Sequence, residues 1–460
     1  MAKHNLDNRL TPVERRASGA LAAVFGLRML GLFLIMPVIA IYGQHYPDYT
    51  PILIGLAIGA YGLTQALFQI PLGMLSDRIG RRPVLITGLL IFAVGSLVAA
   101  WADTLVGVII GRALQGMGAI AAAILALAAD ITRDSQRSKV MATIGLCIGL
   151  SFALALVLGP LLGAQIGLAG LFYFTAVSAL LGIVILQWAV PKVAQKAARG
   201  DLIPLRQELS QLFTNPQLAR LNIGVLVLHC VLTAFFVVVP LQLIQGGLVA
   251  ERHAWLYLPT LFASFALMVP MLIKAERQRR HPQFFRIGIL LLMIAVTVIV
   301  FVPAHWMYLA VAVILFFTGF NLLEASLPSS LTRFAPAGNK GGASGIYSTF
   351  QFLGAFLGGA LGGVIMQYYG LLGVGVFCLI LLLFWFVVSF GMLPPPQQQS
   401  VSYPVPKLTA AEVDGVAEQL SHVVGVEEVR VVAVDQTVYL KVHKTDYNEE
   451  QVKAYLSPYQ

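Results

Sequence analysis

Charge is what this chain has least of. Only 11% of its 460 residues are Asp, Glu, Lys or Arg, and 58% are hydrophobic. A soluble globular chain carries about 25% charged residues, so the shortage excludes an ordinary water-facing surface. The apolar excess is lipid-facing area, and a mean hydropathy of +0.82 agrees. Cysteine is scarce too. Cys147, Cys230 and Cys378 all lie in apolar stretches, which speaks against a disulfide framework or a thiolate metal site. The net charge of +9 suits a nucleic-acid surface in principle, but its distribution speaks against that partner.

Twelve apolar stretches are long enough for the roughly 20 residues of a bilayer crossing. They stand at 18–43, 52–76, 83–102, 104–130, 140–166, 168–190, 219–245, 253–274, 284–303, 305–332, 341–367 and 371–393. Backbone groups in lipid must be satisfied within their own segment, so each is read as a helix. The first is too long for a signal-peptide core and lacks a small-residue cleavage site, so it is read as a retained span. The N-terminal segment and the even-numbered connections, with the span ends that border them, hold 22 of the 30 Lys and Arg; the odd-numbered connections hold Arg252 alone. This asymmetry places both termini in the cytoplasm. The positive charge is therefore topology.

The order along the chain is an N-terminal six-helix bundle (15–190), a cytoplasmic linker (191–218), a second six-helix bundle (219–393), a Pro/Gln linker (394–400) and a small α+β cytoplasmic domain (401–460). Within the first linker, Leu202, Leu205, Leu209 and Leu212 repeat at helical spacing. They form either an amphipathic helix on the membrane surface or an ordinary linker helix. The tail reads β-α-β-β-α, resembling a ferredoxin-like domain without its last strand. Thr409 is expected to cap its first helix, which runs to His422, with Glu412 completing a capping box. Strands are expected at 429–434 and 437–442, and a second helix from Asn448 to Leu456. The tail carries five basic and nine acidic residues, so the rest of the chain is +13. Opposite fields favour either weak docking on the cytoplasmic face or a solvated tether.

One loop stands out. Gly73-Met-Leu-Ser-Asp77-Arg78-Ile-Gly80-Arg81-Arg82 packs a carboxylate, three arginines and two glycines between two spans. It recurs 199 positions later as Glu276-Arg277-Gln-Arg-Arg280-His281. Gly159-Pro160-Leu-Leu-Gly163 and Gly358-Gly359-Ala-Leu-Gly362 share the same offset, which argues for duplication of a six-helix unit. Transporters built of paired halves hold their substrate near the midplane between them.

Ionisable groups inside spans are costly and mark function. Four qualify: Arg28, Arg112, His229 and Glu324. Arg112 and Gln115 share a helix face, and a guanidinium cannot shed its proton. Arg112 therefore serves either proton coupling beside a cavity or the fixing of neighbouring carbonyls. Arg28 has no acid on its own face, so its partner comes from elsewhere. His229 is read mainly as a locally bonded histidine, and Glu324 as a proton carrier or half of a buried pair. Polar ladders Tyr61, Gln65, Gln69 and Tyr347, Gln351 form either cavity walls or helix–helix bonds. Gly159-Pro160 is expected to break or bend the fifth span, with Gly163 continuing a small-residue stripe. Asp77 and Asp130 each sit at a helix C-terminus, where the macrodipole disfavours an anion. Arg81 or Arg78 is expected to compensate, together with the N-terminus of the eleventh span near Gly341–Ser344. A carboxylate held across two moving halves is a latch.

These motifs resemble the major facilitator superfamily. Gly73 to Arg82 agrees with its loop motif at every defined position. Gly111-Arg112-x-x-Gln115-Gly116 resembles its fourth-helix arginine motif. Gly159-Pro160-x-x-Gly163 resembles the fifth-helix motif of proton-linked drug antiporters, with Ala155 and Ala164 in place of glycines. The resemblance covers residues 15–393. It implies twelve helices in two bundles, a multi-pass protein of a bacterial inner membrane, and no enzymatic activity. It implies a conformational latch at Gly73, Asp77, Arg78, Gly80, Arg81 and Asp130, and proton coupling at Arg112. The expected activity is proton-coupled export of a small amphipathic compound by alternating access, with protons as the coupling ion, no cofactor or metal, and a monomer in the bilayer. Symport or uniport, and a membrane sensor with the tail as output, are the rival readings. The first span offers no acid, which excludes a carboxylate proton carrier there.

Overall fold

The computed structural model describes residues 10–191, 212–336, 339–396, 398–406, 408–409, 412–432, 436–443 and 447–459. Ten helices in it are long and apolar enough to cross a membrane. Two of these are double: Asp134–Trp188 contains non-helical Gly167 at φ +67°, and Lys340–Ser389 contains Gly370 at φ +61°. A left-handed backbone is open to glycine at little cost, so each glycine turns the chain between two spans without a loop. The twelve expected spans are thereby accounted for. The first, second and third are Pro12–Tyr42, Pro51–Ile79 and Arg81–Ala100. The fourth is Leu105–Met117 with Ala121–Ile131. Asp134–Trp188 supplies the fifth and sixth. The seventh to tenth are Pro216–Gln245, His253–Arg277, His281–Phe301 and Trp306–Phe334. Lys340–Ser389 supplies the eleventh and twelfth.

Helix starts follow capping chemistry. Thr11 and Glu14 form a reciprocal capping box before the first span, and Thr50, Thr104 and Asn215 cap the second, fourth and seventh. Asp48 in the first connection accepts hydrogen bonds from the backbone N–H of Leu105 (2.7 Å) and Val106 (3.1 Å). The free donors and positive dipole end of the fourth span suit this carboxylate. The Leu105 bond leads in holding its carboxyl below the usual range.

Helix breaks fall elsewhere than at Gly159-Pro160, and the fourth span has one. The fifth span stays helical through Gly159, Pro160 and Gly163; the non-helical residue of that element is Gly167. Pro160 removes one backbone donor without ending the helix. The two glycines serve close approach instead: a Cβ on Gly159 would lie 2.6 Å from the Leu34 carbonyl oxygen, and one on Gly163 2.8 Å from Val38 Cγ1. The fourth span, expected to be continuous, is interrupted at residues 118–120. Its glycines pack against the third span: a Cβ on Gly118 would meet the Gly88 carbonyl oxygen at 2.3 Å.

The two halves meet most closely where the second span crosses the eleventh. A Cβ on Gly55 would lie 2.2 Å from the Gly359 carbonyl oxygen, one on Gly59 2.8 Å from that of Phe356, and one on Gly363 2.5 Å from that of Pro51. These residues lie in the halves of both helices away from the cytoplasmic, arginine-rich side. An aromatic contact joins the halves at the centre, where Phe152 of the fifth span lies 5.9 Å from Phe317 and 6.0 Å from Phe320 of the tenth.

The tail is a three-stranded antiparallel sheet in the order β1-β3-β2, with β1 Gln398–Pro404, β2 Val426–Val432 and β3 Thr437–His443. Its helices are Val413–Ser421 and Glu449–Leu456. β1 begins inside the segment expected to be linker. The first helix begins after Glu412 rather than at Thr409; Glu412 still accepts from the Thr409 N–H at 3.0 Å. Asn448 caps the second helix, which ends at Leu456 as expected. The linker helix at 202–212 lies outside the described residues except for Leu212, which is buried.

Gly359→Val tests the helix crossing. Overpacking of this kind costs roughly 1–3 kcal/mol, so a lower melting temperature in detergent is expected. Gly345→Val in the same helix, where an added Cβ would meet nothing within 4 Å, is the matched control and is expected to be near neutral.

Candidate functional site

Three polar clusters lie within or at the ends of the spans. The first belongs to the N-terminal half and contains both buried arginines. Arg28 is 0% and Arg112 1% exposed. Arg28 Nη2 donates to Gln65 Oε1 (2.9 Å) and to the Gly118 carbonyl oxygen (3.0 Å). The interruption at 118–120 is what leaves that carbonyl available. Arg112 Nε donates to the Ala57 carbonyl oxygen (3.1 Å) and Nη1 to Gln115 Oε1 (3.0 Å). Gln115 Nε2 in turn donates to Ser96 Oγ (2.7 Å). Both guanidinium groups lie near the Tyr61 ring, Arg112 at 5.3 Å and Arg28 at 5.8 Å from its centroid, and Arg28 is 5.3 Å from that of Phe92. No carboxylate pairs with either arginine among the described residues.

The Tyr61 ladder is a chain of bonds: Tyr61 Oη donates to Gln65 Oε1 (3.1 Å), and Gln65 Nε2 to Gln69 Oε1 (3.3 Å). All three residues are buried. Of the two alternatives for this ladder, the structure shows bonding and packing inside the half.

The second cluster belongs to the C-terminal half and brings together residues that looked unrelated in the sequence. His229 of the seventh span, Glu324 of the tenth and Gln351 of the eleventh converge. His229 Nε2 lies 3.8 Å from Glu324 Oε2. Gln351 Nε2 lies 2.9 Å from His229 Nε2 and 3.3 Å from Glu324 Oε1. His229 Nδ1 is 3.2 Å from the Val225 carbonyl oxygen. That oxygen can only accept, so Nδ1 carries hydrogen, and in the neutral ring Nε2 accepts from Gln351. Tyr347, on the same face of the eleventh span, is buried with no partner for its hydroxyl, and Asn321 Nδ2 has none either. The local bond expected of His229 is present, and its second ring nitrogen faces Gln351 as well.

The third cluster is the arginine-rich loop. Arg81, 5% exposed, forms ion pairs with both Asp77 and Asp130, the latter at 3.3 Å, and donates to Ser76 Oγ at 2.8 Å. Gly80 has φ +101° and joins the second span directly to the third. Arg81, not the exposed Arg78, answers the helix-dipole problem of the two aspartates. All these partners lie in the N-terminal half. Gly73 approaches the fourth span, where a Cβ would lie 3.3 Å from Ala122 Cβ.

A neighbouring ion pair was not foreseen. Glu14, 4% exposed, accepts from Arg133 Nε (2.9 Å), Arg133 Nη2 (3.0 Å), the Arg133 backbone N–H (3.0 Å) and the Thr11 backbone N–H (2.8 Å). It ties the start of the first span to the start of the fifth. The Thr-Pro-x-Glu run at 11–14 was the available signal. The central phenylalanines were also missed, because aromatics on apolar helices carry no spacing that separates a midplane contact from lipid exposure.

Comparisons agree with this architecture. The Major Facilitator Superfamily model matches residues 21–275 and 255–419. The chain is 41% identical to the inner membrane transport protein YajR of Escherichia coli (strain K12), over 97% of this chain and 98% of that one. It is 27% identical to the multidrug resistance protein MdtH of Aeromonas hydrophila, over 74% of this chain and 83% of that one. Among solved structures, the nucleoside transporter NupG superposes with a TM-score of 0.64 at 14% identity, covering 81% of this chain and 98% of that one. With two six-helix halves, glycine-packed crossing helices and the arginine-rich loop in place, the chain belongs to the major facilitator superfamily and is a secondary membrane transporter, not an enzyme.

Proposed function

We propose that this transporter is proton-coupled and exports a small amphipathic compound across the inner membrane by alternating access. The observation that carries the reading is the His229–Glu324–Gln351 cluster. It is a titratable acid and base within hydrogen-bond reach of one amide, brought together from three spans. Glu324 keeps 35% of its side-chain surface accessible and His229 13%, so protons can reach the pair from outside the packed core. While His229 Nε2 carries no proton, Gln351 is placed to donate to both partners. A proton on His229 Nε2 turns that atom into a donor, which repels the Gln351 amide hydrogens and favours Glu324 instead. Protonation of Glu324 weakens the pair from the other side.

Either event alters how the eleventh span is held. Phe352, the next residue along, packs edge-to-face on Tyr61 at 6.2 Å. Further along the same helix, Gly359 and Gly363 cross the second span. Proton occupancy thus biases the helix that joins the halves, and differential affinity for the two states is all that coupling requires. The drug-resistance name of the MdtH relative supports export of an amphipathic compound. One chain carries both halves, so we take a monomer as the working unit. Its acidic tail would dock weakly on the basic cytoplasmic face.

Proteoliposomes with an imposed pH gradient test the reading. A proton–substrate coupling of roughly 1–3 kcal/mol is lost in Glu324→Gln, so gradient-driven flux is expected to fall roughly tenfold or more while gradient-independent exchange persists. Full gradient-driven flux in that variant, across a drug panel the native protein transports, overturns the proposal. His229→Gln is expected to retain transport with an altered pH profile.

The loop is a separate proposal: Asp77, Arg81 and Asp130 act as a conformational latch, with Asp77 meeting the N-terminus of the eleventh span in one state. Asp77→Asn is expected to leave the melting temperature near native yet strongly reduce or uncouple flux. Unchanged kinetics would remove Asp77 from the cycle.

A further inference from the structure

The first cluster holds two permanent positive charges and no carboxylate. A charged side chain inside a membrane protein pairs, faces water or marks a ligand path. Arg112 is well occupied by carbonyl and amide oxygens. Arg28 is not: its Nε and Nη1 have no hydrogen-bond partner, although the residue is 0% exposed. The broken fourth span adds a second feature. Ala121–Ile131 starts anew inside the bundle, with Ile120 at its N-cap and no side-chain cap bond. Its first-turn donors and positive dipole end are therefore left for another acceptor. Arg28 reaches this break directly through its bond to the Gly118 carbonyl oxygen. Half-helix N-termini at interrupted spans hold anionic substrate groups in other transporter folds.

The geometry also shows what fills the place now. Gln65 Oε1 accepts from Arg28 Nη2 at 2.9 Å and from Tyr61 Oη at 3.1 Å. It is a neutral oxygen taking two donors, one of them charged. A carboxylate oxygen accepts the same two bonds more strongly, since charge-assisted bonds are shorter and about twice as strong. We infer that Arg28, Tyr61 and the start of Ala121–Ile131 form an anion-binding subsite, with Gln65 as its resident stand-in. The substrate class is an aromatic or lipophilic compound bearing a carboxylate. Its anionic oxygen displaces Gln65 Oε1, and its apolar body meets the ring faces of Tyr61, Phe92 and Phe352. The subsite is occluded in this conformation, and Gln65 and Gln69 on the second span are the side chains that move to admit a ligand. The inference deepens the transport reading above, but its test measures binding without any proton gradient.

The full-length protein in detergent is titrated with three isosteric probes: 2-naphthoate, 2-naphthalenemethanol and 2-naphthylmethylamine. Calorimetry and thermal shift are the readouts. The carboxylate is expected to bind roughly tenfold or more tightly than the alcohol, and the amine to bind weakest. Arg28→Gln is expected to erase the preference for the carboxylate, while Arg28→Lys keeps part of it and controls for folding. Gln65→Glu places a tethered carboxylate in the subsite. It is expected to raise the melting temperature and abolish naphthoate binding. Equal binding of the three probes by the native protein overturns the inference, as does undiminished naphthoate preference in Gln65→Glu. Loss of proton coupling in Glu324→Gln with naphthoate selectivity intact separates a failure here from a failure of the coupling proposal.

Discussion

A guanidinium in the interior of a membrane protein cannot escape its charge by losing a proton, and this chain buries two. Much of the N-terminal half can be understood as an answer to that constraint. The second span presents a tyrosine and two glutamines on one face. The Ala57 carbonyl is turned to accept from Arg112. The fourth span breaks after Gly116-Met-Gly118, exposing a carbonyl for Arg28. Each device offers oxygen or π density without a full negative charge. A carboxylate at Gln65 would neutralise Arg28 more simply, and its absence keeps the site electropositive.

The C-terminal half is the opposite in kind. It holds no fixed charge at the same depth but a titratable acid and base sharing one amide. The division has an energetic consequence. If the N-terminal half takes an anion and the C-terminal half a proton, export of the anion against proton entry moves charge in one sense. Each elementary charge crossing the membrane is worth about 2.3 kcal/mol per 100 mV. An inside-negative potential then drives both limbs of the exchange, and the pH difference adds to it. The two ligands do not compete for a single residue. They act on a shared element, because Phe352 and Gln351 are neighbours on the eleventh span, one facing Tyr61 and the other His229 and Glu324.

Much of this was legible in the amino-acid order. Apolar length set the number of spans, and the Lys/Arg distribution set their direction. The helix-dipole argument called for Arg81 or Arg78 beside Asp77 and Asp130, and Arg81 is the one that pairs with both. The i, i+4 spacing of Tyr61, Gln65 and Gln69 gave a bonded ladder. What stayed hidden depends on helix rotation and on local backbone choices with weak signals. His229, Glu324 and Gln351 lie on three spans, and nothing in a run of apolar residues says which faces turn toward one another. Proline drew attention to residue 160, yet the turn between fifth and sixth spans falls at Gly167, a glycine among many. The break at 118–120 lies in Gly118-Ala-Ile120, three residues that helices of this composition accept elsewhere in the chain. Only packing against Gly88 and Arg28 distinguishes them.

The duplicated loop shows how two copies of one turn come to do different work. Gly80 and Arg279, at equivalent places, both have positive φ, +101° and +55°. The turns themselves differ: Gly80 alone separates the second and third spans, whereas Gln278 to Arg280 separate the eighth and ninth. The charges around them were rearranged. In the first copy, an arginine that is 5% exposed sits between two carboxylates. In the second, Glu276, 56% exposed, sits between Arg333 and His281. Exposed pairs are worth about 0–1 kcal/mol, whereas pairs around a largely buried guanidinium are screened less by water and salt. A motion that separates Arg81 from either aspartate therefore meets a barrier that the second loop cannot match. The leverage over a change of state lies in one half, on the same second span that carries the Tyr61 ladder to Arg28 and crosses the eleventh span glycine to glycine.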